Sequence, residues 1–427
     1  MTGLPQRTIV DVVASPGLGG FFFDDQTAIK AGARRDGAAY VGQPATPGFR
    51  SVREPAESVS VMLVLDDGYV ASGDCASVQY TGVGGRERRF HASELAHAIE
   101  TRLAPRLRGL NVADFRIAAL ETEGHVAEIG NLGRATDYGV SQALLDAASH
   151  AAGHHLMARV ITNEWALPNA IAAVPIYAQS GEDRYTNVDK MILKGVPVLP
   201  HGLINTKELV GAGGEALEQY VQWIRARIVQ LSSDESYLPI IHLDVYGQIG
   251  AVTGGDISAT ADVLQRLERA AGPHTIRIEH PIHAPSRDDQ IRTMTALRTE
   301  LRARSSSVEL IADEWANTAD DVHCFAAAQA CDLIQIKTPD LGSLHHTVDA
   351  ILDCQAFGIG AVLGGSCAET DRSTRATTHI GIATGVTQML AKPGMGVDEG
   401  LMIVSNEMNR ALRLDAHLRA SDQAGTA

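Results

Sequence analysis

Three acidic residues stand at the ends of short apolar runs: Asp244 in HLDVYG, Glu279 in RIEHP and Asp313 in IADEW. Their separations are 35 and 34 residues, close to the roughly 31 residues that one strand–helix unit takes in an eightfold barrel. Successive strands would then deliver one carboxylate apiece to the same rim. A single acid at a strand end more often caps the following helix; three at near-equal spacing point to a shared site. Three carboxylates meeting in a partly buried site repel one another unless a hard dication neutralises them, and Mg²⁺ takes oxygen ligands while leaving positions for water and substrate. The next apolar run, LIQIKTP, ends on Lys337, 24 residues past Asp313, with Gln335 two positions earlier on the same strand face. A lysine ending a buried run is costly unless its pKa falls, and a nearby dication lowers that pKa toward a neutral amine able to take a proton. A lysine snorkelling to solvent is the plainer alternative. His201, in VLPHGLIN, could face Lys337 across the rim as a second acid–base group, although one of 16 histidines is weak evidence alone.

Other candidates read as structural. His154-His155 and His345-His346 are expected to be surface or structural pairs, Lys190 and Lys194 solvated. His150-x-x-x-His154 lacks the Glu of a zincin motif, so no zinc site is expected there.

The groups need a scaffold, and short apolar segments alternating with amphipathic stretches supply it at residues 173–177, 191–193, 240–245, 275–279, 308–313, 333–337, 360–363 and 401–404. Eight strands alternating with helices predict an α/β fold, a (β/α)8-type barrel with a C-terminal tail over residues 166–427. The near absence of polar alternation fits a sheet covered on both faces. An open doubly wound sheet is the rival, but no G-x-G-x-x-G follows a strand and no P-loop occurs. Residues 1–165 mix strands and helices irregularly and predict an N-terminal α+β capping domain. Within it, 58–65 and 68–72 read as a hairpin around Asp66-Asp67-Gly68, and 92–107 and 140–158 as helices. GLGG at 17–20 and GVGG at 82–85 read as plain loops, with a lid or substrate-contacting turn as the other reading.

Composition narrows the partners. With 51 acidic against 36 basic residues and no clustered basic block, a nucleic acid or an anionic membrane surface is a poor match, and a small molecule is the expected partner. Apolar runs such as 61–65 fall far short of the roughly 20 residues that span a bilayer. The N-terminal stretch reaches Asp11 without a long apolar core or cleavage pattern, so a cytoplasmic location is expected. Five widely spaced cysteines (Cys75, Cys324, Cys331, Cys354, Cys367) without a C-x-x-C pair read as reduced thiols.

Asp, Glu and Asp on successive strands followed by Lys resembles the enolase superfamily. The segments PGLGGFFFDDQ, GDCASVQYTGVGGR, AVPIYAQSGEDRYTNVDKMI, QIKTPDLG, GGSCAET and LAKPGMGVDEGLMIVSNEMNR narrow the resemblance, nearly end to end, to the methylaspartate ammonia-lyase family. That resemblance implies Asp244, Glu279 and Asp313 as Mg²⁺ ligands, Lys337 as base for the C3 proton and His201 as the opposing acid–base residue. It places Gln335 and His201 on the substrate 4-carboxylate, and Gln79, Gln179, Ser366 and the backbone at Cys367 on the amino group and 1-carboxylate. Tyr177 and Leu390 would line the pocket for the methyl group. The implied reaction is reversible loss of ammonia from (2S,3S)-3-methylaspartate to give mesaconate through an enediolate. A homodimer, K⁺ as activator and a role in amino-acid breakdown such as glutamate degradation are implied with it. The family often has Thr where Ser366 stands, commonly Phe near Tyr177, and Gly where His280 stands. Another superfamily lyase or epimerase acting on a carboxylate is the alternative, opposed by Gln79, Gln179 and GGSCAET; a non-catalytic amino-acid-binding barrel is opposed by the intact lysine and acids. Substrate breadth and stereochemical tolerance at C3 are not legible in the residues.

Overall fold

Alternating apolar residues in SVSVMLVL put Val59, Val61, Leu63 and Leu65 on one fully covered face of the strand Arg53–Leu65. In the computed structural model, which describes residues 7–82, 86–168 and 170–425, this strand is the middle of a three-stranded antiparallel sheet between Ile9–Asp24 and Val70–Cys75. The predicted hairpin is present, turning at Asp66-Asp67-Gly68 with Gly68 at φ +86°. GLGG is not a loop: it lies within the first strand, at a register shift between Leu18 and Phe22. A Cβ on Gly19 would stand 2.3 Å from the Ala368 carbonyl oxygen, so only glycine lets this strand approach the 366–369 loop. Of GVGG, only Gly82 falls among the described residues, and Met1 to Gln6 lie outside them.

The helix read over 92–107 is a continuous helical run, Ala92–Ala98, a π-turn Ile99–Leu103 and Ala104–Leu107. The helix read over 140–158 is instead two, Arg134–Ala151 and Met157–Glu164, separated where Gly153 adopts φ +78°.

From residue 176 onward, eight parallel strands close into a barrel: Ile176–Tyr177, Val198–Leu203, Ile240–Asp244, Ile276–Glu279, Glu309–Ala312, Leu333–Ile336, Gly360–Leu363 and Gln388–Leu390. Six of these fall within the predicted segments. Two predicted strands are corrected. Residues 191–193 end the helix Arg184–Leu193, where Met191 and Ile192 form its covered face. Residues 401–404 belong to the C-terminal helix Asp398–Gly425. Runs of three or four apolar residues carry too little periodicity to separate helix from strand. Inside the barrel, Tyr177, Val198, Ile311, Leu333, Val362 and Leu390 pack as one apolar layer.

The C-terminal helix docks through a buried polar contact. Glu407 accepts from His379 Nε2 at 3.1 Å, across from the helix Asp371–Thr384, and from Arg410 at 2.7 Å. Burial alone would raise the Glu407 pKa, but these two donors hold it down to about 2. A depressed carboxylate contributes stability above its unfolded pKa and loses it as pH falls through the folded one. Glu407→Gln should therefore cost on the order of 1.5–3 kcal/mol at pH 7, a cost that shrinks from about pH 4.5 toward pH 2; urea unfolding of both proteins at pH 7, 4 and 3 checks the sign. Lys190 and Lys194 are partly exposed and both pair with Asp398 at the start of this helix. All five cysteines are free thiols. Among the described residues no helix is long and apolar enough to cross a membrane.

Candidate active site

Parallel strands in a closed barrel end at one rim, so the last residue of each strand faces a common mouth. Asp244 and Glu279 close the third and fourth barrel strands and pair with each other in register. Asp313 follows the fifth, and Lys337 follows the sixth as the residue before the short helix Thr338–Leu341. His201 lies on the second strand itself, Tyr177 on the first and Leu390 on the eighth. One cleft is lined by Gln79, Tyr177, Gln179, His201, Asp244, Glu279, Gln335, Lys337, Ser366, Cys367 and Leu390, with Asp313 reached through Lys337. Every residue singled out for the site is thus at this mouth, and Gln79 comes from the segment after the antiparallel sheet.

The three acids offer one oxygen each within 4.8 Å of one another, and all three are buried. Burial, then Glu279 and Asp313, push the Asp244 pKa well above the usual carboxylate range. Burial likewise lifts Asp313, against the pull of Lys337 at 2.6 Å, to about 6. Glu279 goes the other way: burial is outweighed by His201 at 3.3 Å and His242 at 2.8 Å, and Gln335 Nε2 donates to both its oxygens. Two carboxyls with raised pKa values around a third, with Tyr246 N–H on Asp244 the only backbone donor to them among the described residues, form an all-oxygen donor set that a hard dication fits. The Lys337 pKa is raised: burial and Arg86 push it down, but Asp313 and Glu314 prevail. The depressed lysine expected from the sequence would require those carboxylates to be engaged elsewhere.

Several partners were not legible in the sequence. His242 links Glu279 to Gln388, whose Oε1 accepts from Arg277, so a polar chain runs through the barrel beneath the acids. Arg86 reaches the mouth and pairs with Glu314 at 2.9 Å and Asp340 at 2.8 Å. Tyr177 donates to Gln335 Oε1 at 3.2 Å, which aims the Gln335 amide N–H groups at Glu279. Gln79 donates to Asp24 at 2.6 Å, turning its own carbonyl inward toward Cys367. Gln179 Oε1 is buried with no hydrogen-bond partner among the described residues, an acceptor open to an ammonium group. His201, Tyr246, His280 and Trp315 all have positive φ, between +46° and +72°, so backbone strain clusters around the mouth. His280 at φ +48° explains why a glycine would suit its position; its side chain is buried and bonds His283 at 3.1 Å.

A closed parallel barrel carrying acids on three successive strand ends and a lysine on the next, under an antiparallel sheet that sends Gln79 into the mouth, defines a (β/α)8-type barrel enzyme fold with an N-terminal α+β part. Muconate lactonizing enzyme from Pseudomonas fluorescens shares it at a TM-score of 0.59 and 17% identity, over 88% of this chain and 84% of that one. Family models for the methylaspartate ammonia-lyase N-terminus and C-terminus match residues 7–166 and 169–417. Methylaspartate ammonia-lyase of Clostridium tetanomorphum is 51% identical over 407 residues, 95% of this chain and 98% of that one. The Mg complex of that organism's β-methylaspartase superposes with a TM-score of 0.91 and 51% identity over 96% and 99% of the two chains. The Citrobacter amalonaticus enzyme containing (2S,3S)-3-methylaspartic acid gives 0.93 at 46% identity over 95% and 99%. The chain belongs to the methylaspartate ammonia-lyase family and is a carbon–nitrogen lyase.

Proposed function

We propose that this protein eliminates ammonia reversibly from (2S,3S)-3-methylaspartate to give mesaconate. The observation that carries the reading is the placement of Lys337 Nζ beside Asp313 at the same mouth as His201 and the other two acids.

Removing the C3 proton of a carbon acid places negative charge on the adjacent carboxylate, and the stabilising groups must act where that charge develops. Lys337 Nζ takes the proton. His201, on the strand across the mouth, and the Gln335 amide donate to the resulting enediolate. Mg²⁺ held by Asp244, Glu279 and Asp313 would offset the developing carboxylate charge and draw down the lysine pKa. The electron pair left at C3 forms the new double bond to C2, the C2–N bond breaks, and the substrate's ammonium group departs as neutral ammonia with the bonding pair. Gln179 and Gln79 carbonyls, with Ser366 and the Cys367 backbone, hold the amino group and 1-carboxylate before departure. Tyr177 and Leu390 bound the space for the C3 methyl group. In the return direction Lys337 delivers the proton it had taken.

The same reading assigns residues 1–165 as the capping domain and 166–427 as the barrel domain, which the separate N- and C-terminal family matches support. K⁺ as activator, a homodimer, a cytoplasmic location and a role in amino-acid catabolism rest on the resemblance. Ammonia release from methylaspartate, with the absorbance of the conjugated diacid followed in parallel, should fall by about a thousandfold or more when Mg²⁺ is chelated, a loss of several kcal/mol of charge stabilisation. Turnover of a hydroxy acid with none of methylaspartate would instead identify a lyase or epimerase of another substrate.

A further inference from the structure

Away from the barrel mouth, a second group of ligating side chains joins the two parts of the chain. Glu123 lies on the helix Phe115–Ile129, and His345 and His346 open the barrel helix Leu344–Ala356. One ligand atom from each lies within 4.8 Å of the others. His346 Nε2 stands 2.9 and 3.1 Å from the two Glu123 oxygens, and His345 Nε2 stands 3.4 Å from Oε2. We propose that Glu123, His345 and His346 bind a transition-metal dication of the Zn²⁺ type, fastening the helix of the N-terminal sheet region to the barrel.

His345 separates this from an ordinary ion pair. It is 3% exposed, and its Nε2 is buried without a hydrogen-bond partner among the described residues. Its other nitrogen, Nδ1, sits 2.8 Å from the hydroxyl of Ser343, itself buried. A histidine whose Nδ1 is tied to a neighbouring oxygen has its ring fixed with Nε2 directed outward, the arrangement that orients imidazole ligands on metals. Here Nε2 is directed at a carboxylate oxygen without forming a hydrogen bond to it, and a cation between the two would engage both. A pair between His346 and Glu123 alone would leave His345 unexplained. The spacing fits as well: donors on bonds of about 2.1 Å at the tetrahedral angle lie about 3.4 Å apart. Asp349 adds negative charge nearby against Arg116. Two imidazoles and one carboxylate favour a borderline ion over Mg²⁺, which prefers oxygen throughout. The remaining coordination positions open to water, because Glu123 and His346 are about one-third exposed.

The inference is independent of the reaction at the mouth and is tested on the full chain in millimolar Mg²⁺. After dialysis against micromolar Zn²⁺, about one zinc per chain should remain on the wild type and on Asp244→Asn, and the zinc should raise the unfolding midpoint by a few degrees, about what binding linkage gives. His345→Gln/His346→Gln should lose that zinc and that shift, keep its circular dichroism, and retain wild-type ammonia release. Glu123→Gln, a partly exposed surface change, should weaken retention at least tenfold and serves where the double variant folds poorly. Co²⁺ in place of Zn²⁺ should give visible d–d bands in the wild type and in Asp244→Asn, and none in the histidine variant. Equal zinc retention by wild type and the histidine variant overturns the proposal. So does loss of the zinc in Asp244→Asn, which would locate it at the barrel acids, or absence of zinc on the wild type.

Discussion

Lys337→Ala is expected to lower methylaspartate turnover by about 10²–10⁴-fold or more, while leaving Mg²⁺ binding by Asp244, Glu279 and Asp313 largely intact. The expectation follows from position: among the described residues that line the cleft, Nζ is the only amine, and it stands at a strand end beside the acids. Removing a cation 2.6 Å from Asp313 leaves three carboxylates with less compensation, so affinity for the dication should hold or rise. The measurement pairs steady-state kinetics with calorimetric Mg²⁺ binding on the same preparation. Turnover within threefold of wild type would remove Lys337 from the role of base. Loss of Mg²⁺ affinity together with turnover would make it a structural part of the ion site instead.

The strand-end acids were legible because a parallel barrel turns sequence spacing into spatial convergence, and Asp244, Glu279 and Asp313 each end a short, mostly apolar run. The second and eighth strands were not. Val198–Leu203 is interrupted by Pro200, His201 and Gly202, and Gln388–Leu390 has only three residues, whereas helical segments at 191–193 and 401–404 display purer apolar runs. Helix burial through one face and strand burial through both give the same short string of letters. His201 was found only by its neighbourhood, yet its φ of +46° on the strand explains how a side chain within the ladder reaches the mouth. Partners joined purely by tertiary packing left no local signal. His242 reads as a stray polar residue in IIHLD, and Arg86 pairs with Asp340 across 254 positions. The His345-His346 doublet looked structural because its third member, Glu123, is more than two hundred positions away on a different helix.

The largest stability effect should come from a residue to which the sequence reading assigned no role. Lys392 is 1% exposed, and its ammonium donates to Thr338 Oγ1 at 3.1 Å, the Gly364 carbonyl at 2.9 Å and both oxygens of Glu369 at 3.0 and 2.8 Å. Glu369 is fully buried and also accepts from Tyr138 OH and from Ser366 N–H. Burial pulls the Lys392 pKa down, and Glu369 opposes that pull as the one carboxylate the ammonium contacts among the described residues. Breaking such a pair from one side leaves an uncompensated charge in the interior, at a cost of about 3–5 kcal/mol. Against a typical total stability of about 5–15 kcal/mol, Lys392→Met should lower the unfolding midpoint sharply. It should also reduce activity, because Glu369 positions Ser366 at the mouth and its carbonyl accepts from Gly20 at 2.8 Å, joining the loop to the first strand. Lys392→Met/Glu369→Gln removes the stranded charge while keeping an acceptor for Tyr138 and Ser366, and should recover more than half of the lost stability. Urea unfolding of the three proteins decides the matter. If the single variant loses under about 1 kcal/mol, the range of an exposed ion pair, then the pair does not hold the loop, and the position of Ser366 must be set by the barrel strand alone.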